Sequence, residues 1–187
     1  MAKDKKKTDL NEMSAYTKED AYQNLEMTNT WISNIDTKVS FAMAFVGVLI
    51  GVIFEMGFPS ALQRVCEVAH VKELKCEEIV GVILVCSLYV VGFASIVSFM
   101  FAIIARTKNL NNVSSIFFFG SIGKMDLQSY KEKINKMTEQ QIIEDLAEQI
   151  HTNASICSQK IRWYNQGTKF LMATIILWFI CVLFRLI

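Results

Sequence analysis

Three long apolar runs divide the chain. They cover residues 39–58, 79–105 and 170–187, and the second carries no charged residue. A helix rises about 1.5 Å per residue and a bilayer core is about 30 Å thick, so about 20 apolar residues are needed to cross it. Soluble core helices rarely stay uncharged on every face for so long. The pattern therefore predicts three transmembrane helices.

The polar segments between these runs also have helical periodicity. Thr17, followed by Glu19 and Asp20, is typical of a helix N-cap, and the apolar spacing that follows predicts one helix running into the first span. Asp126 is expected to cap a short helix, and Thr138 with Gln141 forms a capping-box pattern that opens a long stalk helix. A single Gly and no Pro occur from 138 to 187, so this stalk is expected to continue into the third span.

The fold class predicted is an all-α membrane protein with three transmembrane helices and a small cytoplasmic helical domain. The N-terminal helix, a short helix and the long stalk helix would form that domain. The expected boundaries are a basic flexible tail over 1–16, a helix continuing into the first span over 17–58, a periplasmic connection with a short amphipathic helix over 59–78, the second span over 79–105, a cytoplasmic sensor segment over 106–169 and the third span over 170–187.

Lysine and arginine predict the orientation. Nine of them lie between 106 and 169, whereas three lie between the first and second spans. Since positive residues favour the cytoplasmic side, we expect a cytoplasmic N-terminus and a periplasmic C-terminus. A net charge of +1 leaves no large basic field for DNA or RNA, so nucleic acid is not an expected partner.

The chain lacks the usual patterns of catalysis. Its two histidines, His70 and His151, have no metal-ligand partner at a recognisable spacing, and HExxH, CxxC, Walker and GxSxG patterns are absent. We therefore expect no enzyme, no catalytic residue, no metal and no cofactor. Cys66 and Cys76 share a connection that could be oxidising, where a disulfide and two free thiols are both open.

A few features exceed what a plain helical hairpin requires. Asp36 and Lys38 lie near the entry of the first span, either as interfacial charges or as ligand groups. The aromatic run 117–119 before Gly120 fits core packing, membrane insertion or a stacking surface for a nucleobase. Gln149 and Asn153 share a face of the stalk, and Lys160 precedes the third span.

Together these elements form an ordered set: D-x-K at 36–38, FFG at 118–120, Tyr130, and Q-I-x-x-N-x-x-x-x-x-x-K at 149–160. The sequence resembles the transmembrane effectors of the Pycsar anti-phage defence systems over nearly all of the chain past the basic tail. The resemblance implies a bacterial inner-membrane protein that senses a cyclic pyrimidine mononucleotide, cCMP or cUMP, made by a partner nucleotide cyclase. Its spans would then impair the membrane and cause growth arrest or cell death.

The same resemblance identifies the candidate nucleotide-binding residues, which are Asp36, Lys38, Phe118, Phe119, Gly120, Gln149, Asn153 and Lys160. The expected partners are the cyclic nucleotide, the lipid bilayer and further copies of the chain, since three spans have too few polar groups to line a conduit. Two alternatives stay open: a non-enzymatic membrane scaffold, and an effector of a related system that answers a cyclic oligonucleotide.

Overall fold

The computed structural model describes residues 16–67, 75–104 and 115–187, and within these ranges it contains helices and no strand. The helices are α1 (Lys18–Glu55), α2 (Ser60–Glu67), α3 (Cys76–Ile103), α4 (Phe119–Ile122), α5 (Leu127–Lys136) and α6 (Glu139–Leu183). The basic tail, apart from Tyr16, and His70 lie outside the described residues.

Three of these helices, α1, α3 and α6, are long and apolar enough to cross a membrane. Their large side chains are widely exposed, as at Phe41 (74%), Phe54 (71%) and Val90 (68%). Such exposure of apolar surface is unfavourable in water but suits contact with lipid chains. The prediction of an all-α membrane protein with three membrane-spanning helices is confirmed.

The predicted helix starts are also confirmed. The Thr17 hydroxyl accepts a bond from the Asp20 amide at 3.2 Å, while the Asp20 carboxylate accepts one from the Thr17 amide at 2.9 Å. At α5 the Asp126 carboxylate accepts from the Ser129 amide at 3.0 Å. At α6 the capping box of Thr138 and Gln141 forms, with bonds of 2.9 and 3.4 Å. Each cap satisfies amides that the first helical turn leaves without a partner.

The chain divides into two compact units. One, the polar unit, contains residues 16–31 and 115–155 of the described chain, and the other, the apolar unit, contains residues 32–67, 75–104 and 156–187. Helices α1 and α6 each contribute to both units. The apolar unit holds two buried clusters, one around Val39, Phe99 and Cys157 and one around Val85, Leu88 and Cys181.

A close approach of α3 and α6 organises the first of these clusters. Gly167 of α6 lies under the Phe99 ring, where an added Cβ would come within 2.8 Å of the ring carbons. The Ser95 hydroxyl donates to the Gly167 carbonyl at 3.0 Å in the same buried place. Small residues let membrane helices approach closely, and a hydroxyl bond adds to their association. Gly167 is thus a packing residue of the apolar unit.

The buried face of α6 follows only in part the apolar stripe that periodicity predicts, which consists of Ile143, Leu146, Ile150, Ala154, Cys157, Ile161 and Tyr164. Leu146 and Cys157 of that stripe are buried, whereas Ala154 and Ile161 are exposed. The buried positions of α6 also include the polar residues Asp145, Gln149, Thr152 and Lys160. Polar groups are buried when specific partners are available to them, which a hydrophobic period does not indicate.

Candidate functional site

An aromatic turn precedes α4 in the polar unit. The buried Ser115 hydroxyl accepts bonds from the amides of Phe117 (3.0 Å) and Phe118 (3.2 Å), which closes the turn. The Ile116 amide donates to the buried Asp145 carboxylate of α6 at 2.8 Å. This bond fixes the turn to the stalk helix one turn before Gln149. Sequence reasoning did not single out Asp145.

The three phenylalanines of the turn have different surroundings. The Phe117 ring packs edge-on against Tyr22 of α1, with 5.7 Å between centroids. Phe118 folds over Gly120, where a Cβ would come within 2.6 Å of its ring. Phe119 is 69% exposed and touches the Phe118 ring at 4.9 Å between centroids. The FFG element therefore combines a packed ring, the glycine that makes room for it, and one ring free to stack.

The two amide residues of the Q-x-x-x-N element are held differently. The Asn153 amide nitrogen donates to the Asn29 side-chain oxygen of α1 at 2.8 Å. Gln149 is 3% exposed, and its Nε2 atom is buried without a hydrogen-bond partner among the described residues. A buried amide without a partner costs about 1–3 kcal/mol, so it calls for an explanation. Tyr130 is half-buried on α5.

A groove of about 410 Å³ lies between α5 and the first turns of α6. It is next to the aromatic turn, because Asp145 lines the groove and bonds the Ile116 amide. Lys133, Lys136 and Met137 line one wall, and Gln141, Glu144, Asp145 and Glu148 line the other. This volume is in the usual range of small-molecule sites. Lys133 and Lys136 were not identified as candidates from the sequence. Their spacing is the signal that could have found them, because two lysines three apart on a capped helix place both ammonium groups on one face.

Asp36 and Lys160 meet in the apolar unit. The Lys160 ammonium donates to the Asp36 carboxylate at 2.5 Å and to the Ile103 carbonyl at the end of α3 at 3.5 Å. Lys160 is 5% exposed, whereas the Asp36 side chain is 46% exposed. One buried ammonium thus joins α1, α3 and α6. This geometry favours a structural role for Lys160, because its charge already has a partner.

The remaining candidates are separate from these contacts. Lys38 is exposed and makes no ion pair with any described residue. Cys66 and Cys76 are exposed free thiols in the structure, and the two alternatives that the sequence leaves open for them, a disulfide or two thiols, stay predictions. His151 is exposed on α6. Among residues 16–67, 75–104 and 115–187, no group of three or more His, Cys, Asp or Glu is placed to hold a metal ion.

Two comparisons with known proteins each match most of the chain. The model of the Pycsar effector protein domain matches residues 20–187. The chain is 30% identical over 178 residues to the Pycsar effector protein GmPycTM of Gulbenkiania mobilis, an alignment that covers 87% of this chain and 90% of that protein. No solved structure matches the chain. The matched region includes the aromatic turn, the groove and all three apolar helices, and the chain belongs to the Pycsar effector protein family.

Proposed function

We propose that the chain is a membrane effector of a bacterial anti-phage defence system that senses cCMP or cUMP and then impairs the inner membrane. The observation that carries this proposal is the family match over 20–187, which includes the polar unit together with all three apolar helices. The polar unit supplies side chains suited to a nucleotide, and the apolar helices supply contact with the bilayer. Growth arrest or cell death would follow from membrane damage.

The groove between α5 and α6 presents charged groups that complement those of a cyclic mononucleotide. Its phosphodiester carries one negative charge, which Lys133 and Lys136 can neutralise with charge-assisted bonds. Cytosine presents an amino donor, and a carboxylate such as Glu144 or Glu148 is a suitable acceptor for it. The phosphate and the base therefore have complementary groups on opposite walls.

The aromatic turn offers a stacking surface close to this groove along α6. Asp145 lines the groove and also accepts the bond from the Ile116 amide that holds the turn. Stacking of a base on an aromatic ring contributes about 1–3 kcal/mol, and Phe119 is the ring of the turn that is most exposed. Gln149 lies one turn further along α6, and its buried amide is a further donor that a ligand or a water could satisfy.

We place Asp36 and Lys160 in a second role within the same function. Their ion pair holds the apolar helices together, so its loss would alter the membrane response without removing a ligand contact. Asn153 and Lys38 are assigned to the nucleotide only on the family resemblance. A direct binding measurement separates these roles, because a positioning residue leaves nucleotide affinity unchanged.

For the membrane arrangement, we propose an N-terminus in the cytoplasm, a C-terminus in the periplasm and a homo-oligomer. The charge asymmetry of the connections supports the orientation. The apolar surfaces of α1, α3 and α6 carry few polar groups, so one copy is a poor conduit and several copies would act together. A cytoplasm-restricted fluorescent tag that is bright at the C-terminus would contradict this orientation.

The deciding experiment measures binding and toxicity on the same variants. Full-length protein in lipid nanodiscs is titrated with cCMP, cUMP, cAMP, cGMP and linear 5′-CMP, and the same variants are co-expressed with a pyrimidine cyclase while a potential-sensitive dye reports depolarisation. We expect a cyclic pyrimidine nucleotide to bind at least tenfold more tightly than the others. Phe119→Ala and Lys133→Ala should each weaken binding about tenfold and remove growth arrest.

Lys131→Ala is the matched control, because Lys131 lies on the same helix, is exposed and does not line the groove. It should bind nucleotide and arrest growth like the parent. Equal binding of all five nucleotides, or of none, would overturn the sensing function. Selective binding that survives both Phe119→Ala and Lys133→Ala would leave the function intact and reject this groove as the site.

A further inference from the structure

A second and larger groove lies in the apolar unit, far along the chain from the aromatic turn. Its volume is about 700 Å³, and it opens between α2, the first turns of α3 and the residues that follow α6. Val80, Leu84, Phe184 and Leu186 give it an apolar wall, and Arg64, Glu77, Glu78 and Arg185 give it a charged rim.

The turn after α6 is held in place by the start of α2. The Ser60 hydroxyl donates to the Arg185 carbonyl at 2.9 Å, and the Ala61 amide donates to the Leu186 carbonyl at 3.3 Å. Leu186 then packs within 3.0 Å of the position that a Cβ on Gly81 would take. These contacts hold the residues after α6 against α2 and α3.

Arg185 stands at an unusual backbone position in this turn. The Leu186 amide bonds the Cys181 carbonyl and the Arg185 amide bonds the Val182 carbonyl, a Schellman ending that favours glycine at the position of Arg185. Arg185 has φ of 52°, in the left-handed region that is unfavourable for a residue with a Cβ. The chain thus carries a guanidinium where helix geometry alone would favour glycine.

The charges of the rim are only partly paired among themselves. Arg64 and Glu78 form an ion pair at 2.8 Å. The Arg185 guanidinium and the Glu77 carboxylate have no side-chain partner among the described residues, and both are exposed. The rim therefore offers one cation and one anion above an apolar wall formed by α3 and the residues that follow α6.

We propose that this groove binds a phospholipid with an ammonium-bearing headgroup, of the phosphatidylethanolamine type. Arg185 would bind the phosphate through its planar N–H groups, Glu77 would accept hydrogen bonds from the ammonium, and the first part of an acyl chain would lie on Val80, Leu84 and Phe184. A lipid is the favoured occupant because the apolar wall continues along α3 and α6, which cross the bilayer.

The test uses delipidated full-length protein in mild detergent, titrated with phosphatidylethanolamine, phosphatidylcholine, phosphatidylglycerol or soluble phosphoethanolamine. Retained lipid is counted by native mass spectrometry. We expect phosphatidylethanolamine to bind at least tenfold more tightly than the other two lipids, because choline lacks N–H donors and the glycerol headgroup lacks a cation for Glu77. Phosphoethanolamine without chains should fail to compete, since it leaves the apolar wall empty.

The informative variant is Arg185→Gly, because glycine suits the left-handed position and preserves the turn while removing the guanidinium. It should lose at least tenfold in phosphatidylethanolamine affinity and, without lipid, melt at or above the temperature of the parent. Glu77→Gln should reduce the preference for phosphatidylethanolamine over phosphatidylglycerol. Arg162→Ala is the control, an exposed arginine of α6 outside the groove, and should bind like the parent.

Equal affinity for the three lipids would overturn the proposal, since it would indicate non-selective lipid around the helices. Unchanged affinity in Arg185→Gly would also overturn it, as would tighter binding of phosphatidylglycerol. None of these results depends on cyclic nucleotide, so this site and the sensing function can fail separately.

Discussion

The two parts of α6 bury polar side chains in different ways. In the polar unit, Asp145 accepts a backbone amide bond while the Gln149 amide nitrogen has no partner among the described residues. In the apolar unit, the Lys160 ammonium has both a carboxylate and a carbonyl, while the uncharged Trp178 Nε1 atom, like the Gln149 amide nitrogen, is buried without a hydrogen-bond partner among the described residues. Where lipid surrounds the chain, an unpaired charge is most costly, so the buried charge there is paired, whereas an uncharged donor without a partner costs less. The paired charge of Lys160 supports a structural role for its end of α6, and our proposal makes the end that holds Gln149 the receptive end.

The largest expected effect breaks the Asp36–Lys160 pair. Asp36→Ala leaves a 5% exposed ammonium with only the Ile103 carbonyl, and we expect a loss of about 3 kcal/mol in unfolding free energy. Lys160→Met leaves a carboxylate that is 46% exposed and can be hydrated, so its cost should be about 1 kcal/mol. Denaturant unfolding in mild detergent measures both.

Lys38→Ala is the control for this pair, since Lys38 is exposed, and it should change stability by less than about 0.5 kcal/mol. If Lys160→Met costs more than Asp36→Ala, the ammonium is not the buried partner that the geometry indicates.

Gly167→Ala should have the next largest effect. Its Cβ would come within 2.8 Å of the Phe99 ring in the apolar unit, so helix α6 must move from α3 at a cost of about 1–3 kcal/mol. Gly51→Ala is the matched control, because nothing lies within 4 Å of its added Cβ and alanine favours the helix. The melting temperature should fall for Gly167→Ala and stay equal or rise for Gly51→Ala. Equal shifts in the two variants would contradict the packing role of Gly167.

Gln149→Met tests the receptive end. Because the amide nitrogen has no partner, its replacement by an apolar side chain of similar length should be neutral or stabilising within about 1 kcal/mol. If the amide serves the ligand, nucleotide affinity falls about tenfold while the melting temperature holds. Asn153→Ala is the comparison, since it removes an observed bond to Asn29. A marked loss of stability in Gln149→Met would contradict this assignment and indicate that the Gln149 amide stabilises the fold.

The smallest expected effect concerns the cap of α5. Hydrogen bonds from the Ser129 hydroxyl and amide lower the pKa of Asp126 below its ordinary value. A depressed folded-state pKa adds stability that is present above the unfolded pKa and is lost as pH falls through the folded pKa. Helix α5 should therefore weaken in acid, visible as lower amide protection factors over 127–131 relative to the intrinsic exchange rate at each pH, and Asp126→Ala should remove this pH dependence.

Local signals were sufficient for the secondary structure and the class of the protein. The capping residues Thr17, Asp126 and Thr138 act through amides within three residues of them, so their bonds follow from sequence alone. The three apolar runs predict spans because length and composition determine whether a helix can cross lipid. The ordered FFG and Q-x-x-x-N elements also indicated the family, which the family model then confirmed.

Contacts between residues far apart in the sequence could not be predicted from such local signals. Asp145 appears as one of several acids on α6, and only the fold places it against the Ile116 amide, 29 residues away. In the sequence Lys160 is a basic residue before the third span, and only the packing of three helices gives it Asp36 and the Ile103 carbonyl. Periodicity reports which face of a helix is apolar, whereas the burial of a polar group depends on a partner supplied by another part of the chain.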